Sequence, residues 1–170
     1  MSIKLIVAMD LKGGIGFEGK LPWGSPLPED MKHFRDLTMG KIVLMGRKTW
    51  DSIPLKYRPL PGRKGNIVLT RDLNFSAEGA TVMYEVRSVL NLAKDHEIIC
   101  IGGAELYASF LPFATEMHVT VVRGDFPCDT FFPEFDALGW KETEREVVPA
   151  GNLSKFNLEF IAFKRISPTA

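Results

Sequence analysis

The chain has 170 residues and a mass of 19.0 kDa, enough for one domain with a sizeable core. Lys and Arg total 21, as do Asp and Glu, and a formal charge of zero argues against a broad nucleic-acid interface or an anchor on an anionic membrane. Hydrophobic residues at 45% and charged residues at 25% are the ordinary mixture of a soluble globular chain, not of a disordered one.

No apolar run approaches the roughly 20 residues that span a bilayer. Met1-Ser2-Ile3-Lys4 leads straight into strand-like sequence without the pattern of a signal peptide. Cys100 sits in an apolar run and reads as a small buried hydrophobe, while Cys128 follows a proline in a turn. Their spacing supplies neither a disulfide framework nor a metal site. These features predict a reduced, cytoplasmic protein, with residues 1–170 forming one unit.

In chain order, strands are expected at Ile3–Ala8, Lys41–Met45, Asn66–Leu69, Thr81–Tyr84 and Glu97–Ile101. Several are continuously apolar, as suits strands covered on both faces of a parallel sheet. Helices are expected between them at Pro28–Thr38, Arg47–Ser52, Val86–Lys94 and Ala104–Phe110. After Pro112 come three strand-like stretches, Met117–Val122, Lys141–Val148 and Lys155–Lys164, without a clear helix between them. The last two are expected to pair as a hairpin around Pro149-Ala150-Gly151-Asn152. The pattern predicts an α/β fold, mostly parallel, with an antiparallel C-terminal edge.

Ligands of open α/β sheets bind outside the carboxyl ends of the strands, and three such ends carry unusual chemistry. Ile98-Ile99-Cys100-Ile101 runs into Gly102-Gly103-Ala104, where glycines permit close backbone approach and a following helix start offers free N–H groups. Val43-Leu44-Met45 is followed by Gly46-Arg47-Lys48-Thr49. Two cations at a helix start oppose the macrodipole by roughly 0.3–1 kcal/mol each unless an anion is present. Val68-Leu69-Thr70-Arg71 is the third. A tight turn and a solvated basic rim are the plain alternatives for each end alone. Together they favour a dinucleotide, and arginine at two of them suits a 2′-phosphate, hence NADP over NAD. The G-x-G-x-x-G fingerprint is absent.

In the stretch Leu27–Thr38, Leu27, Met31, Phe34, Leu37 and Thr38 share one arc at about 100° per residue. Asp30 falls inside that apolar arc, between Leu37 and Phe34. Either it helps cap the helix start, or it is a desolvated acid waiting for a ligand's N–H groups. Gly13-Gly14-Ile15-Gly16, followed by Leu21-Pro22-Trp23-Gly24, has the make-up of a mobile lid.

Taken together, these segments resemble dihydrofolate reductase over nearly the whole chain. The matching pieces are Ile6-Val7-Ala8, Ile15-Gly16, Leu21-Pro22-Trp23, Pro28-Glu29-Asp30-Met31 with Phe34 and Thr38, and Met45–Trp50. Further on come Ser52-Ile53, Pro59-Leu60-Pro61-Gly62-Arg63, Ile101-Gly102-Gly103 with Tyr107, Thr120, and Asp129-Thr130. The resemblance implies an eight-stranded sheet flanked by four helices, and NADPH-dependent reduction of 7,8-dihydrofolate to tetrahydrofolate by a monomer that antifolates inhibit.

On that resemblance Asp30 is the active-site acid, hydrogen-bonding the pterin N3 and 2-amino group, with Thr120 in support and Leu21 in the closing lid. Ile6, Val7, Ala8, Met31, Phe34, Ile53, Leu60, Ile101 and Tyr107 would surround the substrate, and Arg63 would take the glutamate α-carboxylate. Ala8, Ile15 and Gly16 would contact the nicotinamide of NADPH, with Trp23, Ile101 and Tyr107 also binding the cofactor. Gly46, Arg47, Lys48 and Thr49, with Gly102, Gly103, Ala104, Glu105 and Leu106, would hold its pyrophosphate region. Thr70 and Arg71, with Arg47, would take the 2′-phosphate, and Leu69 would also border the cofactor. The Gly102–Gly103 peptide would be cis, and a water would protonate N5 of the pterin. His33, His96 and His118 match no catalytic position and are expected to be solvated or satisfied.

The chain departs from the pattern in a longer Gly24-Ser25-Pro26-Leu27 segment, in Leu21 where methionine is common, and in Gly13-Gly14. These bear on lid movement, not on reaction class. Two alternatives stand beside this one: a related reductase of pteridines or flavin-precursor pyrimidines, and a noncatalytic NADPH-binding module. Arg63 argues against the first, whose substrates lack a glutamate tail; intact Asp30, Phe34 and Thr120 argue against the second.

Overall fold

The apolar runs pair side by side because each is covered on both faces, and their pairing organises the chain. The computed structural model describes residues 1–151 and 153–166. In chain order the strands are β1 (Ser2–Met9), β2 (Gly14–Gly16), β3 (Ile42–Gly46), β4 (Gly65–Leu69), β5 (Thr81–Met83), β6 (Glu97–Cys100), β7 (Glu116–Val122), β8 (Thr130–Phe131), β9 (Trp140–Val148) and β10 (Leu158–Arg165). The helices are α1 (Pro28–Thr38), α2 (Arg47–Ser52), α3 (Val86–Leu92) and α4 (Ala104–Phe110).

An eight-stranded sheet runs in the order β5-β4-β3-β6-β1-β7-β10-β9, and β2 pairs with β8 in a separate ribbon. Pairing is parallel from β5 through β7 and antiparallel for β7–β10 and β10–β9. The expected hairpin forms, but its second strand begins at Leu158 rather than Lys155. The residues before it are used in the turn: Ser154 Oγ donates to the Phe156 carbonyl at 3.1 Å, and Asn157 Oδ1 accepts from the Ala150 N–H at 2.6 Å. Asn152, expected in that turn, lies outside the described residues.

Adjacent strands β1 and β6 send their connections in opposite directions, β1 toward β3 and β6 toward β7. Such a divergence opens a crevice at the strands' carboxyl ends. Register decides which side chains face it. Ile6 and Ala8 stand opposite His118 and Thr120, Thr120 stands opposite Phe160, and Val43 pairs with Ile99. These residues share the face that α1 covers. The other face carries the main core, in which Ile3, Leu5, Val7, Leu44, Ile98, Cys100 and Met117 pack with Val89 of α3 and Tyr107 and Phe110 of α4. Each such buried apolar side chain contributes about 1.5–3 kcal/mol.

Candidate active site

Helix α1 begins with Pro28 and has no side-chain cap. Asp30, in its first turn, is therefore not spent on capping. Its carboxylate faces the sheet beside the buried Thr120. Burial pushes the Asp30 carboxyl above its ordinary range, while the Thr120 hydroxyl and nearby His33 pull it down. Leu27 and Thr38 of the predicted arc are buried, but Met31, at its extreme, is 46% exposed.

The apolar wall facing α1 is a separate cluster of Val43, Met45, Trp50 and Val68, with Ile53, Leu60 and Ile101 packed on it. Above it stands Arg63. Its Nε and Nη2 donate to Thr38 Oγ1 at 3.1 and 2.6 Å, its Nη1 donates to the Pro61 carbonyl at 2.7 Å, and its guanidinium lies 5.4 Å from the Phe34 ring centroid. Thr38 Oγ1 in turn donates to the Phe34 carbonyl at 2.7 Å. All these partners are neutral. Burial and nearby Arg35 hold the guanidinium below the usual arginine range, so the site is short of negative charge.

Several expected site residues turn the other way. Val7 and Leu69 belong to the main core on the far face, because a strand alternates sides with every residue; only their backbones reach the crevice. Tyr107 is buried in the same core, and its hydroxyl donates to the Ile6 carbonyl at 2.6 Å. It fixes the strand that carries Ala8 rather than leaving its hydroxyl free. Thr38, which orients Arg63, is the contributor the sequence reading left out of the site.

At the carboxyl ends of β3 and β6, α2 and α4 start side by side, joined by a hydrogen bond from the Gly46 N–H to the Gly102 carbonyl at 2.8 Å. A Cβ on Gly46 would lie 3.4 Å from Leu106 Cδ1, an ordinary contact. Thr49 Oγ1 lies 3.6 Å from where a Gly103 Cβ would stand. The Gly102–Gly103 peptide is cis. Neither helix start is capped by a side chain, and the first turn of α2 holds Arg47 and Lys48 without an acid. Arg71, 91% exposed, meets Glu105 at 3.5 Å, and Arg47 meets Asp72 at 3.7 Å; exposed pairs this long are weak. Free N–H groups together with Arg47, Lys48 and Arg71 fit a ligand with a pyrophosphate and a further phosphate.

The lid is fastened to the segment before β8. Asp10 Oδ1 accepts from the N–H groups of Lys12 and Gly14 at 2.9 and 2.8 Å, and Cys128 Sγ donates to Asp10 Oδ2 at 3.5 Å. Asp129 Oδ2 accepts from the Glu18 N–H at 2.8 Å, and its own N–H donates to the Gly16 carbonyl at 3.0 Å. Leu21 and Trp23 sit at the far end of this loop, half-buried. The Trp23 ring meets Phe126 edge-on at 5.9 Å, and its buried Nε1 donor has no partner among the described residues. Ile15 packs against the main core. Of the histidines, His33 stacks on Phe160, and His118 lies 3.7 Å from Glu116.

A family model described as dihydrofolate reductase matches residues 2–165. Dihydrofolate reductase type 3 of Salmonella typhimurium is 40% identical over 166 residues, covering 97% of this chain and 99% of that one. Dihydrofolate reductase of Bacillus subtilis is 37% identical over 164 residues, 96% and 94% of the two chains. A solved dihydrofolate reductase from Enterococcus faecalis, complexed with NADP(H) and RAB-propyl, superposes with a TM-score of 0.88 at 32% identity, covering 96% of each chain. With the acid, Arg63 and the paired helix starts arranged as above, the chain belongs to the dihydrofolate reductase family.

Proposed function

We propose that the chain reduces 7,8-dihydrofolate to 5,6,7,8-tetrahydrofolate with NADPH, using Asp30 as the single acid of the substrate site. The observation that carries this reading is the union, on one sheet face, of a partly buried carboxylate beside Thr120 and an Arg63 guanidinium without an acidic partner among the described residues. That pair matches a substrate with an N–H-rich ring at one end and a carboxylate at the other. NADPH, when bound, supplies the hydride. Arg47, Lys48, Arg71 and the free N–H groups of α2 and α4 would hold its phosphates, and Ala8, Ile15, Gly16 and Trp23 would border its nicotinamide.

The chain's own residues orient and desolvate. Asp30, ionised, accepts from the pterin N3–H and 2-amino group, and Thr120 steadies its carboxylate. Phe34, Ile53, Leu60 and Ile101 exclude water from the ring faces, with Ile6, Ala8 and Met31 at the margins. Electrostatic interactions strengthen in such a dry site. The negative charge on Asp30 raises the basicity of the pterin, so that a water protonates N5. Closure of the Leu21 lid shields the reacting atoms and holds them in place. The same cleft would take antifolate inhibitors. The reading includes a cytoplasmic monomer that works without nucleic acid.

NADPH oxidation, followed by absorbance with purified protein and dihydrofolate and repeated with NADH, tests this. The expected result is turnover with NADPH and much weaker turnover with NADH. No dihydrofolate-dependent oxidation of either would end the reading.

A further inference from the structure

Between α2 and β4 the chain cannot hold itself by an ordinary ladder. Pro59 and Pro61 lack an N–H, so Leu60 carries the one backbone donor from Pro59 through Pro61. The partner that Leu60 finds is a side chain. Its N–H donates to Asn66 Oδ1 at 3.0 Å, and its carbonyl accepts from Asn66 Nδ2 at 3.2 Å. A carboxamide offers one acceptor and one donor side by side, and so stands in for a peptide unit of a neighbouring strand. β4 places it there. Ile67 and Leu69 turn into the main core, so Asn66 shares with Val68 the face toward the cleft, where it is registered opposite Val43. Asn66 is buried beside that apolar wall, and a buried amide is tolerated there only because it is bonded.

Leu60 leads into the arginine fork. The next carbonyl, that of Pro61, accepts from Arg63 Nη1 at 2.7 Å, and the proline ring fixes φ between the two carbonyls. The Gly62 carbonyl then accepts from the Gly40 N–H at 2.8 Å, and the Lys64 N–H donates to the Lys41 carbonyl at 2.9 Å. A Cβ on Gly62 would collide with Met39 Sδ, so the end of α1 packs directly on this segment. Leu60 to Lys64 is thus a short span, held at one end by Asn66 and at the other by the residues that follow α1. Leu60 packs on the apolar wall and Arg63 stands above it. The span sets the separation of the two.

We propose that Asn66 is a positioning residue for the far end of the substrate: by serving as the missing strand for Leu60, it fixes the separation between the apolar wall and the Arg63 fork, and with it the distance from ring to carboxylate that a substrate must have. This rests on the reading of Arg63 as the partner of the glutamate carboxylate. Asn66 acts through Leu60 and Arg63, so its loss should be felt in binding of the tail and not in the chemistry at the ring.

The test uses the full chain. Asn66→Leu keeps a side chain of similar size and removes both bonds; Asn66→Asp restores donor and acceptor only while its carboxyl is protonated. In Asn66→Leu, amide hydrogen exchange read by NMR should speed up at Leu60 while β4 keeps its protection, which separates a freed segment from a damaged fold. KM for dihydrofolate should rise roughly 3- to 10-fold, the worth of a hydrogen bond, with kcat and NADPH binding nearly unchanged. KM for a dihydropterin without the glutamate tail should barely move. In Asn66→Asp the rise, taken against wild type at each pH, should shrink between about pH 8 and 5.5, because burial favours the protonated carboxyl. Added to Arg63→Lys, Asn66→Leu should raise KM little further, the fork being already lost. Equal rises with both substrates, or none with either, while Arg63→Lys discriminates between them, would overturn the proposal. Should Asn66→Leu not fold, a KM in Asn66→Asp that ignores pH would overturn it as well. A loss in Arg63→Lys that is equal for both substrates would instead overturn the reading of Arg63.

Discussion

Replacing Arg63 by lysine tests the substrate end of the site most sharply, because the structure shows what the guanidinium has and lacks. Three of its N–H donors are anchored, at 3.1 and 2.6 Å to Thr38 Oγ1 and 2.7 Å to the Pro61 carbonyl. Two remain, one on each terminal nitrogen, in a planar fork that matches a carboxylate. Lysine keeps the charge and loses both the anchoring and the second donor. A hydrogen bond to a charged group is worth about 1.5–3 kcal/mol, so losing one should weaken dihydrofolate binding by about 10- to 150-fold. On the proposed reading the arginine would meet the tail and not the reacting ring, so its binding energy would be the same in ground and transition states. KM should rise while kcat changes little. Steady-state kinetics with dihydrofolate, repeated with a dihydropterin that lacks the glutamate tail, makes the measurement specific. The tail-less substrate should be used equally by both proteins. An equal loss with both substrates would refute the reasoning, since the arginine would then act through the fold or the ring. Thr38→Val should show the same substrate-dependent split, more weakly, because it frees the fork without removing it.

Asp30→Asn should lower turnover severely near neutral pH while NADPH binding, followed by fluorescence, survives. The same variant should be more stable than wild type at pH 7 in denaturant melts. A carboxyl whose folded pKa is raised binds more protons folded than unfolded, so the native state loses stability as pH rises through that pKa; the gain of Asp30→Asn should vanish in acid. Arg71→Ala should weaken NADPH binding and leave NADH binding nearly unchanged; equal losses would remove the 2′-phosphate role. Gly14→Ala places a Cβ 2.1 Å from Cys128 Sγ and 2.8 Å from its Cβ, an overpacking expected to cost about 1–3 kcal/mol. Cys128→Ala should relieve part of it, so that the double variant is less destabilised than the sum of the singles.

Much of the sheet was legible because its chemistry is local. Val43-Leu44-Met45 and Ile98-Ile99-Cys100 are apolar at every position, and only a strand covered on both faces needs that. The acid on α1 was legible for a related reason: one carboxylate at the wrong angle in an apolar arc is conspicuous without any partner. The β2–β8 ribbon was not. Its strands are three and two residues long, too short for periodicity, and contacts such as Asp129 to Glu18, made across 111 positions, help hold them together.

Side-chain direction was the harder part, and it limits what any list of adjacent residues can say. Ile6, Val7 and Ala8 form one tripeptide motif, yet Val7 looks into the main core while its neighbours look toward α1. Which parity wins is decided by the pairing of Ala8 with Thr120 and of Thr120 with Phe160, contacts between segments far apart in the chain. That same ladder puts Phe160 under His33. A histidine that matched no expected position thereby comes to lie against a ring registered opposite Thr120. Register alone therefore separates a histidine standing out in solvent from one laid flat on a ring of β10.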